Sequence, residues 1–268
     1  MKKILFSLVL LFSTALSLFA NGVLIIEGNY QGKNLYVQNQ FASSGVGFCV
    51  YEVRVNNQVT TDEINSSAFE VDLTAFKFAI GAKVEVKIFH KEDCKPKVLN
   101  AVALKPKSTF EVVSIKIDKD GVLNWVAKSE SGKLPYVVEQ FRWNKWVAVG
   151  EVEGKGTADQ NSYSFKVSPH TADNQFRVKQ IDYTSKPRYS LPAKYKSMSP
   201  EVSFSPQKVK DEIFFTANEK PAETMYEIYD SYGNIVKKGF GSKVSVNNLS
   251  KGIYYINFDN KTDQFIKK

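Results

Sequence analysis

Histidine is nearly absent from this 268-residue chain: there are two, His90 and His170. A Ser-His-Asp relay would have to recruit one of them. His90 closes a run whose inward set is Val84, Val86 and Ile88, and His170 lies in the turn-like stretch Ser168-Pro169-His170-Thr171. Neither has a second His, Cys or carboxylate at ligand spacing, whereas a catalytic zinc needs two or three such ligands. No G-x-S-x-G elbow is present. Cys49 and Cys94 both follow or precede alternating apolar runs, which points them into a core rather than toward a base and solvent. The expectation is therefore no catalytic residue, no cofactor-binding residue and no metal ligand. One chemistry survives without histidine, a pair of carboxylates hydrolysing a glycoside. A cleft holding two acidic side chains about 5–10 Å apart, for instance around Glu52 or Glu85, would serve it. A small hydrolase with its active site in the first module is the alternative reading. Asp118-Lys119-Asp120-Gly121 opens like a calcium loop but lacks the acid at the twelfth position, so it reads as a hairpin turn. Asp62-Glu63 and Glu92-Asp93 read as solvated loop acids.

Binding is the chemistry that remains. Phe141-Arg142-Trp143-Asn144-Lys145-Trp146 concentrates aromatic and cationic side chains in one short stretch. Phe141 and Trp143 alternate onto the face opposite Val138, beside a hairpin tip at Asn144. Phe141, Arg142, Trp143 and Lys145 form a candidate binding patch that could stack on a sugar ring or dock a protein. The competing reading is that the same rings seal a joint with a neighbouring module. The net charge is +8, with lysines spread along the chain rather than gathered on one element. That argues against a nucleic-acid partner. Plain solubility, anionic lipopolysaccharide or acidic glycans account for the charge more naturally.

The elements that must carry these residues are strands. Met1-Lys2-Lys3 followed by the apolar stretch from Ile4 to Phe19 reads as a cleavable signal peptide over residues 1–20, with small residues at Ala15, Ser17 and Ala20. Beyond it, short β-branched and aromatic runs alternate with polar residues between Gly, Pro and Asn punctuation. The expected class is all-β, three consecutive antiparallel β-sandwich modules. They span residues 21–108 (immunoglobulin-like or prealbumin-like), 109–195 and 201–268, with Leu191 to Pro206 as a linker. Export implies an oxidising compartment. A Cys49–Cys94 bridge is then favoured over two buried thiols, and its loop would be worth about 3–4 kcal/mol in the chain-entropy account. Cys49, Tyr51, Val53 and Val55 are expected on one face.

The end of the chain resembles a known family. Ile228 and Tyr229 lead into Tyr232-Gly233-Asn234, and Ile235-Val236 lead out. Leu249, Gly252 and Tyr254 follow in the pattern L-x-x-G-x-Y, and Phe265, Lys267 and Lys268 close the chain. This resembles the type A C-terminal sorting domain of the type IX secretion system of Bacteroidetes, departing from it where Asp263-Gln264 replace a usual lysine. The resemblance implies export across the outer membrane, with the type IX translocon and a sorting-domain peptidase as partners and possible attachment to anionic lipopolysaccharide. Residues 109–195 resemble the fibronectin type III-like module that often precedes such domains. Trp125, Tyr136 to Glu139, Trp146, Tyr163-Ser164-Phe165 and Phe176 to Asp182 carry that likeness, with Phe176 in place of a usual Tyr and Gln140-Phe141 in place of Arg-Ser; the likeness implies that Trp146 is a core aromatic. The combined expectation is a non-catalytic secreted or cell-surface β protein that acts by binding a protein partner, a glycan or the secretion and attachment machinery.

Overall fold

The structure is a computed structural model that describes residues 22–268. The expected signal peptide at 1–20 lies outside the described residues. The described chain is all-β, with only two short 3-10 turns, Thr74–Phe76 and Ala101–Leu104. It divides into two compact units. The first holds residues 22–28, 32–77 and 83–104, and the second holds 29–31, 78–82 and 105–268.

The first unit contains two sheets. One orders its strands Gly22–Asn29, Lys83–His90, Val50–Val55 and Gln58–Val59; the other orders Ala68–Val71, Leu35–Gln38 and Lys97–Val98. Period-two alternation sets their faces. Leu35, Val37, Val71, Val84, Val86 and Ile88 are all buried. The expected Cys49-Tyr51-Val53-Val55 face is broken, however. The register slips between Val50 and Glu52, so Cys49 and Val50 are both buried while Tyr51 turns out. A bulge inserts one residue and reverses the parity of everything before it. Cys49 is bonded to Cys94, with their Cα atoms 5.8 Å apart and 45 residues between them in sequence.

The second unit holds two sandwiches. In the first, Asn161–Lys166, Val122–Lys128 and Glu111–Ile117 form one sheet, and Lys145–Glu153, Pro135–Arg142 and Ala172–Ile181 run through the other. Pro187–Tyr189 and Ala193–Ser197 pair with opposite ends of Ala172–Ile181. This is a fibronectin type III-like arrangement of three strands over an antiparallel sheet with the hairpin strand at its edge. Trp125 is buried and lies in its core with Leu123, Val138, Phe176 and Val178. Glu130 is buried there too. It accepts hydrogen bonds from the Tyr136 hydroxyl (3.1 Å), the Tyr163 hydroxyl (2.5 Å) and the Gly156 amide (2.7 Å). Burial and the nearby carboxylate push both phenols well above their ordinary pKa, so they stay protonated as donors.

Trp146 is not in this core. The register slips between Val138 and Glu139, and Phe141 then stands directly opposite Trp146. Directly paired residues share a face, so both rings lie on the outer side of the sheet, edge to face at 5.4 Å. The Arg177 guanidinium sits 4.1 Å from the Trp146 ring centroid and 3.9 Å from that of Tyr189. Glu139 accepts from Arg177 Nε at 2.7 Å and also pairs with Lys179. The expected linker is also largely structured. Ala193 enters the core as part of a strand, and Ser203–Ser205 already pairs within the last sandwich. Only about five residues near Ser199 and Pro200 remain as a connection.

The last sandwich packs the sheet of Ser203–Ser205, Glu212–Ala217, Lys220–Pro221 and Lys243–Ser245 over a second sheet. That second sheet orders Lys208–Val209, Lys261–Lys267, Gly252–Phe258, Thr224–Tyr229 and Ile235–Gly241. Tyr254, Ile256 and Phe258 point into the core and Ile253 and Tyr255 point out, as a half-buried strand requires. Lys208–Val209 runs parallel to the final strand, and the Lys268 amide donates to Val209 O at 2.8 Å.

The 45-residue loop closed by Cys49–Cys94 makes a prediction. Replacing both cysteines by alanine should cost about 3–4 kcal/mol of unfolding free energy, read by urea titration with and without a reductant. An unchanged midpoint would show that the bridge does not constrain the unfolded chain.

Candidate functional site

The Phe141–Trp146 stretch is a tight hairpin. Arg142 pairs with Lys145 across the turn, and Trp143 and Asn144 fill it with φ of 53° and 59°. Positive φ at both central residues is the type I′ geometry, which suits the twist of the flanking strands and normally selects Asn and Gly. Asn144 fits. Trp143 does not, because a bulky side chain there meets the following carbonyl at a cost of about 1–2 kcal/mol. Its presence is a property of the side chain and not a requirement of the turn.

The hairpin side chains divide between two directions. Phe141 lies outward with Trp146, as its alternation from Val138 anticipates. Arg142 is 4% exposed. One of its terminal nitrogens donates to Gln140 Oε1 at 2.5 Å and to Ser168 O at 3.4 Å. Its Nε and Nη1 are buried without a hydrogen-bond partner in this structure. Its guanidinium carbon stands 5.3 Å from the Trp143 ring centroid. Burial pushes the Arg142 pKa down to about 10, against the opposing pull of Asp259 and Glu227, so it remains charged at neutral pH.

Asp259 and Glu227 belong to the last sandwich. Lys145 Nζ donates to Glu227 Oε2 at 2.6 Å and to the Tyr229 hydroxyl at 2.9 Å. The Tyr229 hydroxyl also donates to Glu227. A second set of contacts lies beside the first. The Thr171 amide donates to Asp259 Oδ1 at 3.0 Å, Asn260 Nδ2 donates to Thr171 O at 3.2 Å, and the Thr171 hydroxyl donates to Pro200 O at 3.0 Å. His170 is buried at this turn, its Nδ1 2.7 Å from Thr171 O. A cavity of about 140 Å³ lies beside the second set, lined among others by Arg142, His170, Pro200, Thr224 and Asp259. Asp259 Oδ2 is buried and unpartnered.

Of the expected binding patch, then, Arg142 and Lys145 meet the last sandwich while Phe141 packs on Trp146. Glu227, Tyr229, Thr171 and Asp259 were not anticipated. Glu227 and Tyr229 had a faint signal, since Ile228 between them is a core residue and alternation sends its neighbours outward. Among the residues with the sorting pattern, Tyr254 and Phe265 are buried and stack at 5.5 Å, and Lys267 is buried. The Tyr254 hydroxyl donates to Ser250 O at 3.0 Å, and Leu249 packs on the same core. Gly233, with φ of 85°, turns the hairpin whose tip leaves Tyr232 89% exposed. Gly252, with φ of 156°, opens its strand opposite Lys267.

Glu52 and Glu85 do not pair with each other. Glu52 stands opposite Phe89, four residues along the strand from Glu85, so their backbones are roughly 13 Å apart. Glu52 pairs with Arg54 at 2.5 Å and Glu85 with Lys87 at 2.7 Å. Among the described residues no group of three or more His, Cys, Asp or Glu could hold a metal ion.

The Lys145–Glu227 contact generates a second prediction. Burial alone would lower Lys145, but its bonds to Glu227 and Tyr229 outweigh this and raise its pKa. Burial alone would raise Glu227, but Lys145 and Tyr229 outweigh it and hold the carboxyl below its ordinary range. The Glu227 share of stability is present above the ordinary carboxylate pKa and is lost as pH falls through its depressed value. The Lys145 share is lost only as pH rises through its raised value. Lys145 is 42% exposed, so solvent screens the pair and its coupling should be about 1 kcal/mol. A double-mutant cycle with Lys145→Met and Glu227→Gln should return that value near pH 7 and fall toward zero as pH drops through the depressed Glu227 value. A pH-independent coupling would contradict the ionic account.

Residues 206–268 match the family described as "Secretion system C-terminal sorting domain". No curated protein matches the sequence. Among solved structures the chain is similar to a tetra-tandem repeat in the extending region of a large adhesion protein, at 12% identity over 93% of this chain and 75% of that one, with a TM-score of 0.31. It is similar to the chicken CNTN1 FN1-FN3 domains at 12% identity over 91% and 98%, with a TM-score of 0.26. It is also similar to the BSP domain of a biofilm associated protein at 9% identity over 91% and 81%, with a TM-score of 0.19. No helix among the described residues is long and apolar enough to cross a membrane. The final sandwich is thus a type IX sorting domain, and it addresses the chain to the cell surface or outer membrane.

Proposed function

We propose that this protein is a non-catalytic binding protein exported by the type IX pathway and displayed outside the cell, as in Bacteroidetes. The carrying observation is the sorting domain at residues 206–268, folded as a sandwich with its own core of Phe215, Ile256, Phe258 and Phe265. An address of this kind engages the secretion machinery and leaves the preceding sandwiches to act at the surface. The Phe141–Lys145 hairpin supports a binding role. It keeps a tryptophan at a position that disfavours it and gathers two cations beside that ring. A surface protein or glycan is the partner class that such a hairpin suits. Attachment to anionic lipopolysaccharide, and a role as an accessory of the secretion machinery, are compatible with the net charge of +8. The separation and local pairing of Glu52 and Glu85 argue against the glycosidase reading.

Deleting residues 201–268 tests the address. The truncated chain is expected to accumulate in the periplasm of a host whose export apparatus works, measured by fractionation and immunoblot. Its release into the medium at the rate of the full chain would overturn the reading. A Gly252→Val substitution places a side chain at a φ that disfavours it, and export should drop; normal export would show that this strand opening is not read.

A further inference from the structure

The hairpin cations are answered by carboxylates that do not belong to their own sandwich. Within the fibronectin-like sandwich, Arg142 finds only the neutral acceptors Gln140 Oε1 and Ser168 O. The carboxylate on Lys145 is Glu227, and a carboxylate that shares the 140 Å³ cavity with Arg142 is Asp259, with Glu223 also in its lining. All three stand on the sorting sandwich. Arg142 is 4% exposed and still has two nitrogens without a partner. Trp143 lies between the cations, its ring 5.3 Å from the Arg142 guanidinium and 5.9 Å from Lys145 Nζ. The arrangement is therefore an anion-accepting, ring-bearing surface whose anions are supplied by the sorting sandwich.

We propose that the sorting sandwich caps a binding site for an acidic saccharide at the Arg142–Lys145 hairpin, and that its removal opens the site. This rests on the reading of the sorting sandwich as an address that can be detached. The Glu227 and Asp259 carboxylates stand in for the acid groups of the ligand. Two cations beside one ring can meet more than one such group, as a chain of uronic acids provides, and the indole offers an apolar face to a sugar ring. Gln140 and Trp143 hold the guanidinium in place, so the site is preorganised and little ordering is needed on binding. The connection that must be cut is accessible, since Met198 is 90% exposed. Until the cut, the cap occupies the site at a very high effective concentration.

The test uses the full chain with a specific protease site inserted after Met198, before and after cutting. Its melting temperature before cutting should equal that of the unmodified chain. A second variant, uncut Glu227→Gln with Asp259→Asn, removes both stand-in charges without any insertion. The probe is hexagalacturonate, compared with a neutral hexasaccharide and with hexaglutamate, by calorimetry. Cutting should tighten hexagalacturonate binding at least tenfold. The uncut double variant should show part of that gain. Lys145→Glu in the cut chain should abolish it, and the neutral sugar should not respond. No gain on cutting in either background would overturn the proposal, as would an equal gain for the neutral sugar or tighter binding of hexaglutamate. These failures would leave export by residues 201–268 intact, which the fractionation measurement reads separately.

Discussion

A buried guanidinium needs an answering charge, and much of the second unit is arranged around that need. Arg142 is removed from water at the end of a sheet, where an unpaired cation would cost several kcal/mol. Its own sandwich offers it amide and carbonyl oxygens only. The carboxylates that stabilise its charge, Asp259 and Glu227, come from a strand pair more than eighty residues later. Two folded sandwiches are thereby fixed against each other through charge, with Lys145, Tyr229 and Thr171 completing the contact. Hydrogen bonds and an ion pair cross the joint, and apolar residues such as Pro200, Val202 and Phe240 line the cavity beside them.

Polar groups inside the fibronectin-like sandwich follow a different rule. Glu130 is buried as deeply as Arg142, yet it is fully met by two tyrosine hydroxyls and an amide of its own module. Glu139, Arg177 and Lys179 close on one another on the outer face, with Trp146 and Tyr189 covering the guanidinium. Arg142 departs from this self-sufficiency. A satisfied network rigidifies one module, whereas a half-satisfied one couples that module to whatever supplies the missing partner.

The sequence made strands, turns and the sorting pattern legible because these depend on local order. Alternation in Tyr254-Ile256-Phe258, the Asp118–Gly121 turn and the inward set Val84-Val86-Ile88 all survive in the structure. Parity arguments failed where a bulge intervened. One extra residue at Val50–Glu52 turned Tyr51 outward, and the family likeness misplaced Trp146, which pairs with the outward Phe141 and lies over Arg177 instead of in the core. The stretch after Leu191 resembled a linker because Pro, Ser and Lys dominate it. Its small inward residues Ala193 and Ser197 nonetheless suffice for an edge strand. The joint itself was illegible in detail. Lys145 and Glu227 lie 82 residues apart, and no pattern in either neighbourhood names the other.

The contact between Lys145 and Glu227 is the most direct measure of whether the sorting sandwich covers the hairpin. Amine-labelling rates read by mass spectrometry report it residue by residue. In the full chain Lys145 should label several-fold more slowly than the exposed Lys119, and Glu227→Gln should bring the two rates together. Equal rates in the unaltered chain would contradict the account.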